Sequence, residues 1–216
     1  LYWDDERKSL IALDGRETAS ARANEDHWLD EDGEPLSWLK ATSSLASIGV
    51  PGTTALLWEG HLRFGRLPWN ENLEESIRIA EEGFFPSPRF LRSIRLAKRI
   101  GINHSLPFQS LYLPNGDLPK IDVPFTNKAL AITLRRIADH GVEEFYRGEI
   151  AKNLFNDLSN NQLKQNIKTI TLDDLSEYRV QERTPICRPY KRWRVCTFPP
   201  PSGGGIALLQ TLSMYN

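Results

Sequence analysis

The chain predicts an α+β fold with a helical majority, and three observations carry that expectation. Two short apolar runs around a charged turn open it as a hairpin. Apolar residues at helical spacing dominate its middle. A second pair of strand-like runs then precedes a last helix.

The elements follow in order. Leu1-Tyr2-Trp3 and Leu10-Ile11-Ala12-Leu13 form the hairpin around Asp4–Lys8, and Asp14-Gly15-Arg16-Glu17-Thr18 makes a tight turn at the strand end. Residues 22–48 are polar, broken by Asp32-Gly33 and Pro35, and read as loop with short pieces of structure. After Gly49-Val50-Pro51-Gly52-Thr53, a helix runs from Thr54 to Phe64 and stops at Gly65. Leu73, Ile77 and Ala80 mark a second helix ending at Gly83, and Pro88–Ile100 a third ending at Gly101. Residues 102–125 hold four prolines and two asparagines and are expected to be mostly loop. Thr126–His140 is a strong helix with Leu130, Leu134, Ile137 and Ala138 on one face and Gly141 as its cap. Glu149–Leu158 is helical, and Thr171-Leu172-Asp173-Asp174 resembles a capping box with Asp in the Glu place. Tyr178–Ile186 and Lys191–Phe198 are the second strand pair. Three prolines and Ser202-Gly203-Gly204-Gly205 lead into the final helix, which is expected to continue past the last residue.

The 216 residues suffice for a sizeable core, and 40% hydrophobic with 25% charged is an ordinary globular mixture. Twenty-seven basic residues against 28 acidic ones argue against a nucleic-acid surface as the main function. No apolar run reaches the length of a membrane span. Eight residues lie between Cys187 and Cys196, which is no metal-ligand spacing. Two separate buried or half-buried thiols are the expectation, with a pair across a hairpin as the alternative.

No self-sufficient catalytic constellation is visible. His27, His61, His104 and His140 lack ligand-like or triad-like neighbours, and His61 and His140 sit near helix C-termini, where the dipole favours them. No metal or cofactor is expected. Two places stand out. Arg16, on a turn flanked by Asp14 and Glu17, presents a planar fork suited to a carboxylate, although the turn read alone is a solvated charged turn. Pro199-Pro200-Pro201-Ser202-Gly203-Gly204-Gly205 stiffens a chain entry and lets a ligand or backbone come close, with helix N–H groups able to receive an anion; a plain linker is the alternative.

At these residues the chain resembles the γ-glutamyltranspeptidases. Asp14-Gly15-Arg16-Glu17-Thr18-Ala19 is similar to the family's Asp-x-Arg-Glu-x-Ala, and Gly49-Val50-Pro51-Gly52-Thr53 to its Gly-x-Pro-Gly-Thr. Phe64-Gly65-Arg66-Leu67-Pro68, Ala80–Phe84, Ile137–Gly141 with Phe145-Tyr146-Arg147-Gly148, and Thr171–Leu175 with Tyr178 follow in the family's order. Pro199–Gly204 resembles its Pro-Pro-Pro-Ser-Ser-Gly-Gly. No one of these motifs is specific; seven in order along the chain are.

The resemblance implies an N-terminal-nucleophile hydrolase, a four-layer αββα sandwich that this stretch, 1–216, fills only as a single partial domain of the large subunit. In that family a precursor cuts itself, and a new N-terminal Thr on the small subunit attacks a γ-glutamyl amide with its own amino group as base. The acyl-enzyme passes to water, an amino acid or a peptide. By this resemblance the catalytic nucleophile lies outside these residues, Arg16 binds the substrate α-carboxylate, and Asp14, Glu17, Ser202, Gly203 and Gly204 support the site. The implied partners are the small subunit and glutathione or another γ-glutamyl compound, with no nucleic acid. The implied location is periplasmic, secreted or cell-surface. Departures are Ser20 for the frequent proline, Gly203 for a second Ser, and Asn160-Asn161-Gln162 with a polar insertion where the family has Gly-Gly. The alternatives are another acylase of this fold, cephalosporin-acylase-like or capsule-depolymerase-like, and a non-catalytic remnant acting as a structural module. A cleavable linker before a downstream Thr would separate enzyme from remnant.

Overall fold

Charged residues between two short apolar runs close the first hairpin. The computed structural model describes residues 1–100, 106–165 and 169–215, with backbone alone at 161–165; Gly101 and His104 lie outside the described residues. Strand β1 (Tyr2–Asp4) pairs antiparallel with β2 (Ser9–Asp14), Trp3 opposite Leu10. The turn is fixed by Asp4, whose carboxylate accepts the Arg7 N–H at 3.0 Å, and by Lys8 at φ 48°.

The free edge of β2 takes β3 (Gln181–Arg183), giving an antiparallel sheet in the order β1-β2-β3. This corrects the expected pairing of one strand over 178–186 with another over 191–198. Thr184-Pro185 divides that run, because proline brings no N–H to a ladder. The half before it joins β2. The half after it, β4 (Ile186–Tyr190), pairs with β5 (Trp193–Thr197) around a turn with Lys191 at φ 50°.

Helices fill the middle: α1 (Trp38–Ser43) with a 3₁₀ turn at Leu45–Ser47, α2 (Thr53–Phe64), α3 (Glu71–Glu82) and α4 (Pro88–Arg99). The expected loop over 102–125 contains a helix, α5 (Leu106–Tyr112), and a 3₁₀ turn at Pro114–Gly116. Pro107 falls in the first turn, where its missing N–H costs nothing. Phe108 and Tyr112, one turn apart, put their rings 4.9 Å from each other, and Tyr112 stacks on Phe125 at 5.6 Å. Aromatic packing, not periodicity, makes that helix.

Next come α6 (Lys128–His140), α7 (Glu143–Tyr146), α8 (Glu149–Gln165), α9 (Leu172–Glu177) and α10 (Gly203–Met214). Asn127 caps α6 by accepting the Leu130 N–H at 3.0 Å, and Gly141 ends it at φ 73°. The inward face differs by one residue from expectation: Leu130 is exposed and Ala131 is buried. Ala131 offers α3 a small surface, so Ile77 and Ala80 pack close to α6, with Leu73, Leu134 and Ala138 around them.

The larger core joins Val50, Val142, Tyr146, Ala151, Leu158, Ile170, Leu175 and Tyr178. It lies directly beneath the turn that leaves β2, which is how the packing reaches the candidate site.

Candidate functional site

Asp14 ends β2 with its side chain buried, and a buried carboxylate must find donors. One oxygen accepts the Arg16 backbone N–H at 3.0 Å, closing an Asx turn. The other accepts the Arg183 Nε–H at 3.0 Å and lies 3.0 Å from Nη2 of the same guanidinium, completing an ion pair. Arg183 reaches it because the β2–β3 register sets Arg183 opposite Ala12, diagonal to Asp14. The two flanking acids, expected to support the site, meet Arg16 in different ways. Asp14 holds the Arg16 backbone, and among the described residues only Glu17 meets the guanidinium, at 3.5 Å from Nε.

From below, the Tyr178 hydroxyl donates to the Arg16 carbonyl at 2.8 Å. Its ring stacks on Tyr146 at 5.8 Å and 11°. The Tyr146 hydroxyl donates to the Pro51 carbonyl at 2.6 Å and accepts the Ala55 N–H at 3.2 Å. Burial pushes the Tyr146 phenol up to about 12, with the Ala55 N–H acting the other way. Burial also raises Tyr178, helped by the carboxylates of Asp14 and Glu17. Gly52 completes the seat: a Cβ there would collide with the Tyr178 hydroxyl and the Gly15 carbonyl.

Beyond the turn, the Val50 N–H donates to the Thr18 carbonyl at 2.8 Å. Asp174 then takes over. It accepts from the Ser20 hydroxyl at 2.9 Å and the Ala21 N–H at 2.8 Å, and shares a capping box with Thr171. Burial opposes its charge, but donors from Ala21, Thr171 and Ser20 outweigh burial and hold the carboxyl below its usual range. The backbone around Arg16 is thus fixed on three sides. Its side chain is 58% exposed, with a loose ion pair to Glu17. That arrangement can offer a preformed cation to an incoming anion.

The second candidate stands at the start of α10. Gly205 is buried, and a Cβ there would strike the Thr197 hydroxyl and the Phe198 carbonyl, so glycine lets the helix meet β5. Gly203 and Gly204 face open space, and Ser202 gives the helix start no side-chain cap. Their first-turn N–H groups stay available for an acceptor. Hydrogen bonds and an ion pair join Asp14, Arg16 and Glu17 into one turn, and among the described residues no hydrogen bond joins the α10 start to it.

The model of the family described as gamma-glutamyltranspeptidase matches residues 1–216. The chain belongs to that family. It is 38% identical over 202 residues to a glutathione hydrolase proenzyme of Pseudomonas aeruginosa, covering 94% of this chain and 34% of the relative. It is 33% identical over 207 residues to the Escherichia coli glutathione hydrolase proenzyme, covering 95% and 34%. The chain therefore spans about a third of the length of these curated relatives. Among solved structures, Helicobacter pylori γ-glutamyltranspeptidase superposes with a TM-score of 0.85 at 28% identity, covering 95% of this chain and 57% of that one. A cephalosporin acylase of Bacillus halodurans superposes with a TM-score of 0.74 at 25% identity, covering 89% and 35%.

Two of the histidines make packing or hydrogen-bonding contacts. His61 packs its ring 5.2 Å from Trp69, and Nε2 of His27 lies 3.0 Å from the Ala46 carbonyl. No group of three or more His, Cys, Asp or Glu that could hold a metal occurs among the described residues, and no helix there is long and apolar enough to cross a membrane. The two cysteines, expected as separate thiols, form a Cys187–Cys196 disulfide. They stand directly opposite each other in the β4–β5 register, which periodicity alone did not reveal. Sequence reasoning also missed Arg183, Tyr146 and Asp174 as supports of the turn. Only Tyr178 and the capping box carried a signal, through the Thr-x-x-Asp-Leu-x-x-Tyr run.

Proposed function

We propose that this chain is a single partial domain, 1–216, of the large subunit of an enzyme that cleaves γ-glutamyl amide bonds in glutathione and related compounds. The γ-glutamyl group passes to water, an amino acid or a peptide through an acyl intermediate on a Thr supplied by the small subunit of the same precursor. The two subunits together build the αββα sandwich. Family membership and the glutathione hydrolase relatives support this reading. Without that Thr the chain alone is inactive.

Arg16 binds the α-carboxylate of the glutamyl group. The observation that carries this role is a backbone held by Asp14, Tyr178 and the Gly52 approach beneath a guanidinium with a loose ion pair to Glu17 at 3.5 Å. Immobilising the backbone in advance reduces the entropy lost when substrate is gripped. A planar fork then fixes both charge and orientation of a carboxylate, which lysine does not. Asp14 and Glu17 support Arg16, and Ser202, Gly203 and Gly204 give the site further support as a glycine-rich helix start.

Steady-state kinetics with a chromogenic γ-glutamyl anilide test the role in the processed two-subunit protein. Arg16→Lys raises KM by a loss of about 2 kcal/mol, with kcat changed less. Self-cleavage, followed on gels, survives because it uses no glutamyl substrate. An unchanged KM in both Arg16→Lys and Arg16→Ala returns Arg16 to a solvated turn. A second reading, an acylase of the same fold, is favoured by the superposition on cephalosporin acylase; hydrolysis of a cephalosporin amide in preference to the γ-glutamyl anilide would select it.

A further inference from the structure

We propose that the Cys187–Cys196 disulfide is a thiol-exchange site for an anionic low-molecular-weight thiol, with Arg194 attracting the incoming thiolate and steadying the leaving one. The proposal rests on the β4–β5 hairpin alone and stands apart from the γ-glutamyl reading.

Residues opposed across an antiparallel pair share a face, and successive pairs alternate faces. The register sets Ile186 opposite Thr197, Cys187 opposite Cys196, Arg188 opposite Val195, and Pro189 opposite Arg194. One face therefore carries Ile186, Arg188 and Thr197, and it is the face that α10 covers. Ile186 and Arg188 line a hollow with Ile206 and Leu209, and Thr197 abuts Gly205. The disulfide lies on the opposite face with Arg194. Both cysteines are half-buried, and Arg194 is exposed.

The charge along this hairpin is one-sided. The hairpin from Ile186 to Thr197 holds Arg188, Lys191, Arg192 and Arg194, and no Asp or Glu occurs from Arg183 to Asn216. None of Arg188, Arg192 and Arg194 forms an ion pair with a carboxylate among the described residues. Arg192 instead lies over the Trp193 ring at 4.8 Å. Exchange proceeds by thiolate attack on a disulfide sulfur, and a nearby cation favours both the entering and the departing sulfur anion. A thiol that itself bears carboxylates gains further from the field. Glutathione, with two carboxylates and one ammonium, is the probe of that class.

The steps balance. A glutathione thiolate attacks one cysteine sulfur, forming a mixed disulfide and breaking the Cys187–Cys196 bond. The other cysteine leaves with the electron pair and takes a proton from water. A second glutathione thiolate then attacks the glutathione sulfur of the adduct, releasing oxidised glutathione and the second protein thiol. Two thiols are oxidised and one protein disulfide is reduced.

The test uses the intact protein purified without reductant. It is incubated under native conditions with glutathione or with the cationic thiol cysteamine at equal thiolate concentration, acid-quenched, alkylated and mapped by mass spectrometry. The expected result is a glutathione adduct confined to Cys187 or Cys196. The glutathione-to-cysteamine rate ratio should fall about fivefold in Arg194→Gln and on adding salt, as for loss of one surface charge contact. The doubly substituted Cys187→Ser, Cys196→Ser protein gives no adduct at this site. Two free thiols in the freshly isolated protein overturn the proposal. So does a disulfide that exchanges only after unfolding, or a rate ratio unaltered in Arg194→Gln.

Discussion

The Tyr178 hydroxyl donates to the Arg16 carbonyl across 2.8 Å, although 162 residues separate the two in sequence. Tyr178 belongs to the larger core, so the bond ties the backbone of an exposed arginine to the most buried part of the fold. Tyr178→Phe keeps the ring stacked on Tyr146 and removes only the donor. Urea unfolding should show a loss of about 1 kcal/mol, the usual net worth of one neutral hydrogen bond. In the two-subunit enzyme KM for a γ-glutamyl donor should rise with kcat nearly unchanged. A KM equal to wild type would mean that the Arg16 turn holds its shape without this bond.

Asp14 acts on the same turn from the other side. Asp14→Asn retains an acceptor for the Arg16 N–H but discharges the partner of Arg183. Asp14→Ala removes both and leaves Arg183 facing the sheet without its carboxylate. The Ala variant should lose about 2 kcal/mol of stability, in the range for hydrogen bonds to charged groups, and the Asn variant less. Denaturant midpoints of the two variants, compared with Arg183→Gln, check the order. Equal costs for Asn and Ala would assign the whole effect to the ion pair.

Alkaline stability should follow Tyr146. Burial lifts its phenol from 10.0 to about 12, so the folded state holds that proton more tightly than the unfolded chain does. The stabilisation is complete below about pH 10 and is lost as pH rises from there through about 12. Tyr178 is shifted in the same direction. Unfolding curves between pH 8 and pH 12 should steepen in their decline above pH 10, by on the order of 2 kcal/mol in all. Tyr146→Phe should flatten that decline while lowering stability near neutral pH, because the Pro51 carbonyl loses its donor. A decline of unchanged slope in Tyr146→Phe would place its origin elsewhere.

Local signals made much of this fold legible. The opening hairpin, α2, α3 and α4 lie within a residue or two of where periodicity, proline and glycine put them. The Thr171–Asp174 capping box forms as its spacing implies. What local reasoning could not supply is partnership between distant segments. Thr184-Pro185 looks like a flaw in one strand, yet it divides two strands that serve different sheets. Leu106–Tyr112 has a loop's composition, and a ring cluster with Phe125, thirteen residues beyond Tyr112, turns it into a helix. Leu130 and Ala131 exchange places because α3 comes close enough to favour the smaller residue.

The candidate site divides in the same way. Arg16 stood out because an arginine on a tight turn between acids is chemically conspicuous. Its supports did not. Arg183 is one of many surface-pattern cations until β3 places it beside Asp14, and Tyr146 is an ordinary core aromatic until its hydroxyl meets Pro51. The Cys187–Cys196 pair depends on strand register, which a two-residue shift of the turn would have destroyed.

The last prediction concerns apolar surface. α2 buries none of its twelve residues, and Leu57 and Leu62 are 59% and 61% exposed. Beside it lies an open hollow of about 700 Å³ lined by Tyr2, Leu13, Leu56, Phe64, Leu73 and Ile137, where Tyr2 stacks on Phe64 at 3.7 Å. Strand β1 borders it as the outer strand of its sheet. Contiguous apolar patches and open strand edges promote association, because burial of each removes surface or backbone from water. The chain spans about a third of its curated relatives, and in the proposed enzyme the remaining polypeptide covers this face. The isolated 216-residue chain should therefore self-associate and show no γ-glutamyl anilide turnover. Co-expression with the remaining polypeptide should give a monodisperse heteromer. Light scattering with Leu57→Lys and Leu62→Lys separates the causes: reduced association in these variants assigns it to the exposed surface of α2, and Leu57→Lys alone to the side facing this hollow. A wild-type chain that is a stable monomer, or one that turns over substrate alone, would contradict the partial-domain reading itself.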